Sequence, residues 1–294
     1  MEARNLRNGL LFAAPWIVGL VVFYAYPILA SLYYSFCSYD GIRPPRWTGL
    51  QNYHRMFFED DLFFKALYNT LYMVVFGVPL SLLCGLGVAL LLNQKVRGIS
   101  LYRTIFYLPS ITPVVANSIL WLWLLNPDIG LVNVVLHHLG IAKPPAWIAD
   151  PLWSKPALLL MGLWGVGGGM VIYLAALQNV PVALYEAASL DGAGILQKLR
   201  NVTLPMITPV ILFNVITGLI GSFQYFTEAY VMTNGGPEDS TTFYALDLFN
   251  RAFQDFHMGY ASAMAWVLFL IVLLCTILVF KSSLRWVYYG GENR

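Results

Sequence analysis

Six long stretches almost free of charged side chains constrain the fold of this chain more than any other feature. Five windows lack Asp, Glu, Lys and Arg altogether, and a sixth, at 206–233, contains only Glu228. The other windows lie at 10–36, 66–92, 104–125, 156–177 and 261–280. A membrane-spanning helix needs about 20 predominantly apolar residues, and continuous apolar runs without alternation indicate helices rather than barrel strands. We therefore predict an all-α membrane protein with six transmembrane helices.

The composition excludes several other classes of protein. The chain is 59% hydrophobic and only 11% charged, whereas about 25% charge is typical of soluble domains. A soluble fold, a disordered chain and a coiled coil are therefore excluded. The net charge of +2 provides no basic field for nucleic-acid phosphates. Three cysteines, an odd number spaced far apart, do not indicate a disulfide framework.

The distribution of Lys and Arg predicts the orientation. If the N-terminus lies in the cytoplasm, ten of these residues fall on the inner side and seven on the outer side. The inner segments are also shorter, so their basic density is higher, as the positive-inside rule requires. Both termini are therefore predicted to be cytoplasmic. The first window exceeds the apolar core of a secretory signal, about 7–15 residues, and is interpreted as an uncleaved anchor.

The loop at 178–205, between the fourth and fifth windows, is longer and more apolar than a simple connection requires. Pro181 can begin a helix, since its missing N–H would be unpaired in the first turn anyway. Gly192 can adopt a positive φ angle and end that helix. A second helical stretch is predicted at 195–202. The loop is thus expected to fold as a helix, a tight turn and another helix, with alanines that allow a close approach.

This loop contains a motif of three linked elements. They are Glu186-Ala187-Ala188, then Asp191-Gly192-Ala193 after two residues, and Leu204-Pro205 further on. The pattern resembles the EAA loop of binding-protein-dependent ABC importer permeases. Stretches at 49–53 (Gly-Leu-Gln-Asn-Tyr), 103–109 (Arg-Thr-Ile-Phe-Tyr-Leu-Pro) and 233–237 (Thr-Asn-Gly-Gly-Pro) are similar to the carbohydrate branch of that family. The resemblance extends over nearly the whole chain and implies a type I importer fold.

The resemblance also implies a division of the chain and a role for the loop. An N-terminal helix with the first outer loop (1–62) would precede a core transmembrane domain (63–281) and a cytoplasmic tail (282–294). The loop at 178–205 would dock on an ATPase subunit as a coupling helix. The contact residues implied are Glu186, Ala187, Ala188, Asp191, Gly192 and Ala193. The alternative is a loop helix that only packs on the membrane face.

The implied assembly contains this chain, a second and different permease, two ATPase subunits and an extracytoplasmic sugar-binding protein. It would lie in the lipid of the cytoplasmic membrane of a prokaryote. The sequence has no Gly-x-x-x-x-Gly-Lys-Ser/Thr stretch, so ATP and Mg²⁺ are expected in the partner ATPase, and no cofactor in this chain. His-Glu-x-x-His and Gly-x-Ser-x-Gly are also absent, and the four histidines fall in outer loops. No catalytic residue, metal ligand or nucleic-acid partner is predicted.

Polar and aromatic side chains inside the windows indicate where a substrate would pass, since intramembrane polar groups usually face the bundle interior. Positions 110, 114, 117 and 121 repeat at helical spacing and are predicted to share one face. Ser222 and Tyr225, with Glu228 one turn further, are predicted to share another. Trp164 lies beside the glycines of the fourth window.

Hydroxyls, amides and aromatic rings at one depth suit a sugar. The resemblance to sugar permeases adds glycine and valine positions to this set. With Asn117 and Glu228, the candidates are Ser110, Val114, Trp164, Gly165, Gly168, Gly218, Ser222 and Tyr225. Helix packing is the alternative explanation of the glycine run, because Gly and Ser let membrane helices approach closely.

Glu228 is the one charge within the six windows. Three roles stay open for it: contact with substrate, pairing with another subunit, or hydration at the mouth of the pathway. It also supports a rival hypothesis, a self-sufficient secondary transporter with Glu228 as the coupling site. Such a transporter would have no need of the motif at 186–193.

Overall fold

The computed structural model describes residues 2–94 and 96–288, and its regular structure is almost entirely helical. In the first of these ranges the helices are α1 (Glu2–Leu20), α2 (Tyr26–Ser35), α3 (Gln51–Phe58), α4 (Asp61–Tyr72) and α5 (Val78–Leu92). A short antiparallel pair, β1 (Cys37–Ser38) and β2 (Arg46–Trp47), follows α2, with Cys37 opposite Trp47 and Ser38 opposite Arg46.

The second range begins with α6 (Ile99–Tyr107), α7 (Val114–Leu124), α8 (Leu131–His138), α9 (Ser154–Trp164), α10 (Gly167–Gln178) and α11 (Val182–Leu190). It continues with α12 (Ile195–Lys198), α13 (Leu204–Phe223), α14 (Thr227–Met232), α15 (Tyr244–Phe249) and α16 (Met258–Ser283). Single π-helical turns lie at Val21–Ala25, Met73–Gly77, Leu199–Thr203 and Asn250–Gln254. 3₁₀ turns lie at Leu108–Ile111 and Trp147–Ala149.

Within the described ranges, four helical segments are long and apolar enough to cross a membrane. They are Leu11–Ser35, Asp61–Leu92, Ile195–Met232 and Met258–Ser283. Two bent pairs have the same character: Ile99–Ile111 with Val114–Leu124, bent by 99°, and Ser154–Trp164 with Gly167–Gln178, bent by 47°. The protein is therefore a helical membrane protein with four to six candidate spans.

Proline chemistry explains the sharper bend. Thr112 and Pro113 both have extended ψ angles, of 133° and 132°. A residue before proline is disfavoured in the α conformation, and proline has no N–H to continue the helix. The helix therefore stops at Ile111, and a new one begins at Val114. This corrects the prediction of one continuous helix at 104–125.

The chain forms two compact units. One comprises residues up to Phe63 together with Asp247–Leu270, and the other comprises Phe64–Leu246 with residues from Ile271 onward. In the larger unit, α5, α10 and α13 pack around a buried cluster that includes Leu86, Met170, Tyr173 and Ile207. A second cluster joins α7, α9 and α14 through Trp121, Leu158, Met161 and Met232, among others. Burying one of these side chains stabilises the fold by about 1.5–3 kcal/mol if the side chain would otherwise be exposed to water.

Gly167 allows the first turn of α10 to approach α6. A Cβ added at this position would overlap the carbonyl oxygen of Phe106, so any side chain larger than hydrogen requires a shift of backbone. Small residues at such crossings are typical of membrane helix packing. For this glycine the packing explanation is therefore confirmed.

In the smaller unit, hydrogen bonds attach α3 to the last residue of α2 and to β1. The Asn52 side chain donates to the carbonyl oxygens of Ser35 and Cys37 at 2.8 and 2.9 Å. The Tyr53 hydroxyl donates to the Ser35 hydroxyl oxygen at 2.9 Å. The Gly-Leu-Gln-Asn-Tyr stretch at 49–53 thus has a structural role at the start of α3.

Candidate functional site

The segment at 181–198 contains the EAA motif and has the predicted helix–turn–helix form. Pro181 occupies the N-cap of α11, and the helix ends at Leu190. Gly192 has a φ angle of +75°, as the sequence predicted. The Ala193 N–H donates to the Ala188 carbonyl at 2.9 Å, and the Gly192 N–H donates to the Ser189 carbonyl at 3.1 Å. These two bonds form a Schellman motif, with glycine at the left-handed position.

This geometry explains the spacing of the motif. Ala188 supplies the acceptor carbonyl, Asp191 is the C-cap, Gly192 makes the turn and Ala193 closes the outer hydrogen bond. Side chains at the two ends of a Schellman motif are brought together. Alanine at both ends keeps this turn thin, and both alanines are half-buried.

The surface of the segment is exposed and partly apolar. Glu186, Ala187 and Asp191 are exposed. Leu190 and Ile195 flank the turn, and each is 90% exposed. Large aliphatic side chains this open, in a rigid turn, are typical of an interaction surface rather than of a solvated connection.

Two contacts attach the segment to the rest of its unit. The Tyr185 hydroxyl lies 3.0 Å from the Thr203 hydroxyl oxygen, in the π-helical turn that leads into α13. The Tyr185 ring packs against the cluster shared by α5, α10 and α13. Lys198 donates to the Ser189 hydroxyl at 2.7 Å and so connects α12 to α11. The exposed turn is therefore linked to the base of α13.

A cavity of about 340 Å³ lies among α5, α9, α10 and α13 in the same unit. Three of the predicted pathway residues, Gly165, Gly218 and Ser222, line it. The lining also contains four polar side chains that the sequence did not single out: Ser81, Tyr173, Asn214 and Thr217. On α13 the positions 214, 217, 218, 221 and 222 repeat at helical spacing, and this signal was available in the sequence.

The cavity offers both hydrogen-bond donors and acceptors. The Asn214 amide donates to the Val210 carbonyl at 2.9 Å, which leaves its side-chain oxygen on the cavity side close to Gly169. The Tyr173 hydroxyl is buried and has no partner among the described residues. Buried polar groups without protein partners need water or a ligand. A polyhydroxy solute meets this requirement, because each hydroxyl both donates and accepts.

A smaller cavity of about 100 Å³ adjoins the first and shares Ser81, Gly162 and Ser222 with it. Tyr225 lines this smaller space. The helix α13 ends at Phe223 and α14 begins at Thr227. Ser222, Tyr225 and Glu228 therefore do not share one helical face, which corrects that prediction. Ser222 and Tyr225 nevertheless meet at one cavity.

The remaining candidates fall outside the linings of both cavities. Ser110 lies before the break at Pro113, so it does not share a face with Val114, Asn117 and Trp121, contrary to the prediction. Ser110 instead lies beside Gly168, where an added Cβ would be 4.0 Å away. Trp164 packs edge-on against Trp121, with ring centroids 5.2 Å apart.

Three more candidates, Val114, Asn117 and Glu228, lie on helices that pack together. Val114 is 43% exposed and Asn117 is half-buried on α7. Glu228 is half-buried in the first turn of α14, which packs against α7. An acidic side chain at a helix N-terminus interacts favourably with the helix dipole.

Apolar spans around a polar cavity, linked to an exposed and rigid turn, define a membrane transport subunit that meets another component. The chain belongs to the family described as binding-protein-dependent transport system inner membrane component, whose model matches residues 77–287. It is thus a permease subunit of an ABC transport system.

Sequence similarity to known permeases extends over nearly the full length of the chain. The chain is 43% identical to a probable ABC transporter permease protein, YesP, of Bacillus subtilis (strain 168), over 99% of this chain and 96% of the relative. It is 38% identical to the lactose transport system permease protein LacF of Rhizobium radiobacter, over 94% of each chain.

A solved structure shows the same fold. It is the crystal structure of a bacterial alginate ABC transporter in complex with alginate pentasaccharide-bound periplasmic protein. One of its chains is similar with a TM-score of 0.84 and 23% identity, over 97% of both chains.

Membership of this family confirms one prediction and decides between two hypotheses. Permease subunits of ABC systems are transport components, and ATP hydrolysis is performed by separate subunits. The chain is therefore not an enzyme. A self-sufficient secondary transporter with Glu228 as the coupling site is not favoured.

Proposed function

We propose that this permease moves a sugar, or a related polyol or glycoside, into the cytoplasm by alternating access. The polar cavity lined by Asn214, Thr217, Ser222 and Tyr173 carries this proposal, because its hydroxyls and amide match a polyhydroxy solute. The lactose system named for a relative with 38% identity supports the same class of substrate. Gly165 and Gly218 leave room for the solute between the helices.

The other predicted pathway residues would lie along the route of the solute outside the cavity. Ser110 with Gly168, Trp164, Val114 and Asn117 would line the route before or after the cavity. Glu228 would contact the solute, another subunit or water at the mouth.

We further propose an assembly with a second, different permease, two ATPase subunits that bind ATP and Mg²⁺, and an extracytoplasmic sugar-binding protein. The family description and the likeness to relatives of full length support it. Six spans in the lipid of a prokaryotic cytoplasmic membrane, with both termini inside, complete the proposal. The division at 1–62, 63–281 and 282–294 remains a prediction, and residues 289–294 of the tail lie outside the described chain.

ATP-dependent movement would enter through the exposed turn. Glu186, Ala187 and Asp191 would contact an ATPase subunit, while Ala188, Gly192 and Ala193 would keep the turn thin enough to fit a groove. Because the Tyr185 hydroxyl is hydrogen-bonded to the Thr203 hydroxyl, a displacement of α11 would also move the N-terminal end of α13. The same helix lines the cavity, so the binding of ATP to one state of the ATPase pair would shift the cavity between two states.

The proposed partners are tested by purification from native membranes in mild detergent, with the co-purifying chains identified by mass spectrometry. We expect an ATPase, a second permease and a binding protein. The binding protein is then screened against sugars to find the substrate. Recovery of this chain alone, with no ATPase in any preparation, would contradict the proposed assembly.

A further inference from the structure

A second polar pocket, of about 250 Å³, is lined by residues of the smaller unit. Its walls come from the β1–β2 hairpin, from α3 and from the start of α16. The side chains of Thr48, Gln51, Arg55 and His257 contribute to the lining. We refer to it as the Arg55 pocket.

Arg55 is a cation without a counter-charge. Its guanidinium lies 5.0 Å from the centre of the Tyr260 ring, and no ion pair or hydrogen bond of this group occurs within the described part of the chain. The nearby carboxylates are already engaged: Asp60 accepts from Arg251 at 3.0 Å, and Glu59, which also lines the pocket, contacts His54 at 3.1 Å. A half-buried guanidinium of this kind is open to an external acid.

The pocket is held in place by buried contacts. Tyr260 is only 2% exposed, and its hydroxyl donates to Asp60 at 2.7 Å. The ring that supports the Arg55 guanidinium is therefore fixed. Asn52 ties α3 to the hairpin, as described above, so Gln51 and Arg55 project from an anchored helix. Rigid donors lose less entropy on binding a ligand than mobile ones do.

We propose that the Arg55 pocket binds a sugar acid, a small polyhydroxy ligand that carries a carboxylate. The Arg55 guanidinium would hold the carboxylate, and the Gln51 amide and the Thr48 hydroxyl would bond to neighbouring hydroxyls. The choice of a sugar acid as the ligand class rests on the proposed function, the transport of a sugar. The site itself is separate from the cavity lined by α13.

The test uses galacturonate and galactose, which differ only in a carboxylate in place of a CH₂OH group. Binding of each to the detergent-purified transporter complex is measured by isothermal titration. We expect galacturonate to bind at least tenfold more tightly than galactose. The Arg55→Gln variant should remove this preference, Arg55→Lys should keep part of it, and Arg46→Gln should keep all of it. Arg46 is an exposed cation on β2 outside the pocket, so it is the matched control.

Three results would overturn the proposal. They are equal binding of the two sugars, a preference that survives Arg55→Gln, and equally tight binding of glutarate. The last would indicate an acidic side chain of a docked protein rather than a sugar acid. ATP-driven sugar uptake by the same complex is measured in parallel. Uptake that persists while the carboxylate preference is absent would refute the pocket and leave the proposed function intact.

Discussion

At the scale of single residues, the motif at 186–193 combines residues that the backbone conformation of the turn requires with residues whose side chains are exposed. Gly192 is at φ +75°, and the hydrogen bonds of Ala193 and Gly192 close the end of α11. A non-glycine residue in this conformation costs about 1 kcal/mol. The exposed Glu186 and Asp191 side chains make no hydrogen bond or ion pair with any described residue, so they are available to a partner.

The first prediction concerns Gly192. Gly192→Asp should reduce uptake more than tenfold while the amount of protein in the membrane stays unchanged, because it adds strain and a charge to the exposed turn that is proposed to contact the ATPase. Glu186→Lys should have the same effect. Gly98→Asp is the matched control, since Gly98 has φ +76° and, like Gly192, no described atom within 4 Å of an added Cβ. Full uptake in Gly192→Asp and Glu186→Lys would refute the coupling role.

A second residue-scale prediction tests the crossing at Gly167. Gly167→Ala should destabilise the protein by about 1–3 kcal/mol, because the methyl group overlaps the Phe106 carbonyl. Gly221→Ala, within α13 and without a described atom in reach of the new methyl, should be neutral or slightly stabilising. Thermal melting in detergent measures both. Equal melting temperatures in the two variants would show that α10 tolerates a side chain at 167.

Asp247 provides a prediction about pH. Burial raises the pKa of this carboxyl from 3.8 to about 6, although Arg251 opposes the rise. Between about pH 4 and pH 6 the folded protein therefore keeps a proton on Asp247 that the unfolded chain releases. Relative to neutral pH, the protonated carboxyl thus stabilises the folded protein below about pH 4, and this stabilisation is lost as pH rises through 6. Its size is on the order of 3 kcal/mol.

Asp247→Asn should flatten the dependence of the melting temperature on pH between 4 and 7. Asp128→Asn, an exposed carboxyl, should leave that dependence as it is in the native protein. An unchanged pH profile in Asp247→Asn would show that this group does not titrate in the range.

At the scale of elements, the sequence predicted the positions of the helices well and their continuity poorly. Charge-free windows locate apolar helices because a bilayer excludes charge. The break at Pro113 was not predicted, since neighbouring helices can accommodate prolines in a membrane. The interruption after Phe223 has no such marker. It moves Tyr225 and Glu228 off the helix of Ser222, which no periodicity argument could anticipate.

The residues that line the cavity were also only partly predictable from the sequence. The sequence predicts Gly165, Gly218 and Ser222 as pathway residues and they line the cavity, but it does not single out Asn214 and Thr217, which line it as well. Their spacing on α13 marks a polar stripe, but spacing alone does not show which stripe faces a space between helices. The form of the segment at 181–198 was predictable because proline and glycine act locally.

The link between α11 and α13 gives an element-scale prediction. Tyr185→Phe removes the hydroxyl that meets Thr203. A hydrogen bond contributes about 0.5–1.5 kcal/mol, so the fold should survive. We expect the number of ATP molecules hydrolysed per sugar transported to rise about fivefold, since about 1 kcal/mol of coupling corresponds to that factor.

The control is Tyr102→Phe, an exposed hydroxyl without a hydrogen bond among the described residues. Thr203→Val should match Tyr185→Phe, and the double variant should be no worse than either. A proportional fall in ATP hydrolysis and transport would point to a loss of folded protein instead.

At the scale of the whole molecule, two features belong to one function. The exposed turn is rigid and attached to α13, and α13 lines the polar cavity. A permease driven by a separate ATPase needs both, whereas a self-sufficient transporter needs only the cavity. Family membership over residues 77–287 agrees with this reading.

Reconstitution in liposomes distinguishes ATP-driven import from transport by this chain alone. The purified complex is placed in liposomes with the co-purified binding protein loaded with its sugar, and uptake is measured with and without ATP on the ATPase side. We predict uptake only with ATP, and none in the Gly192→Asp complex. Sugar transport by this chain alone, without ATP or an ATPase subunit, would contradict the account.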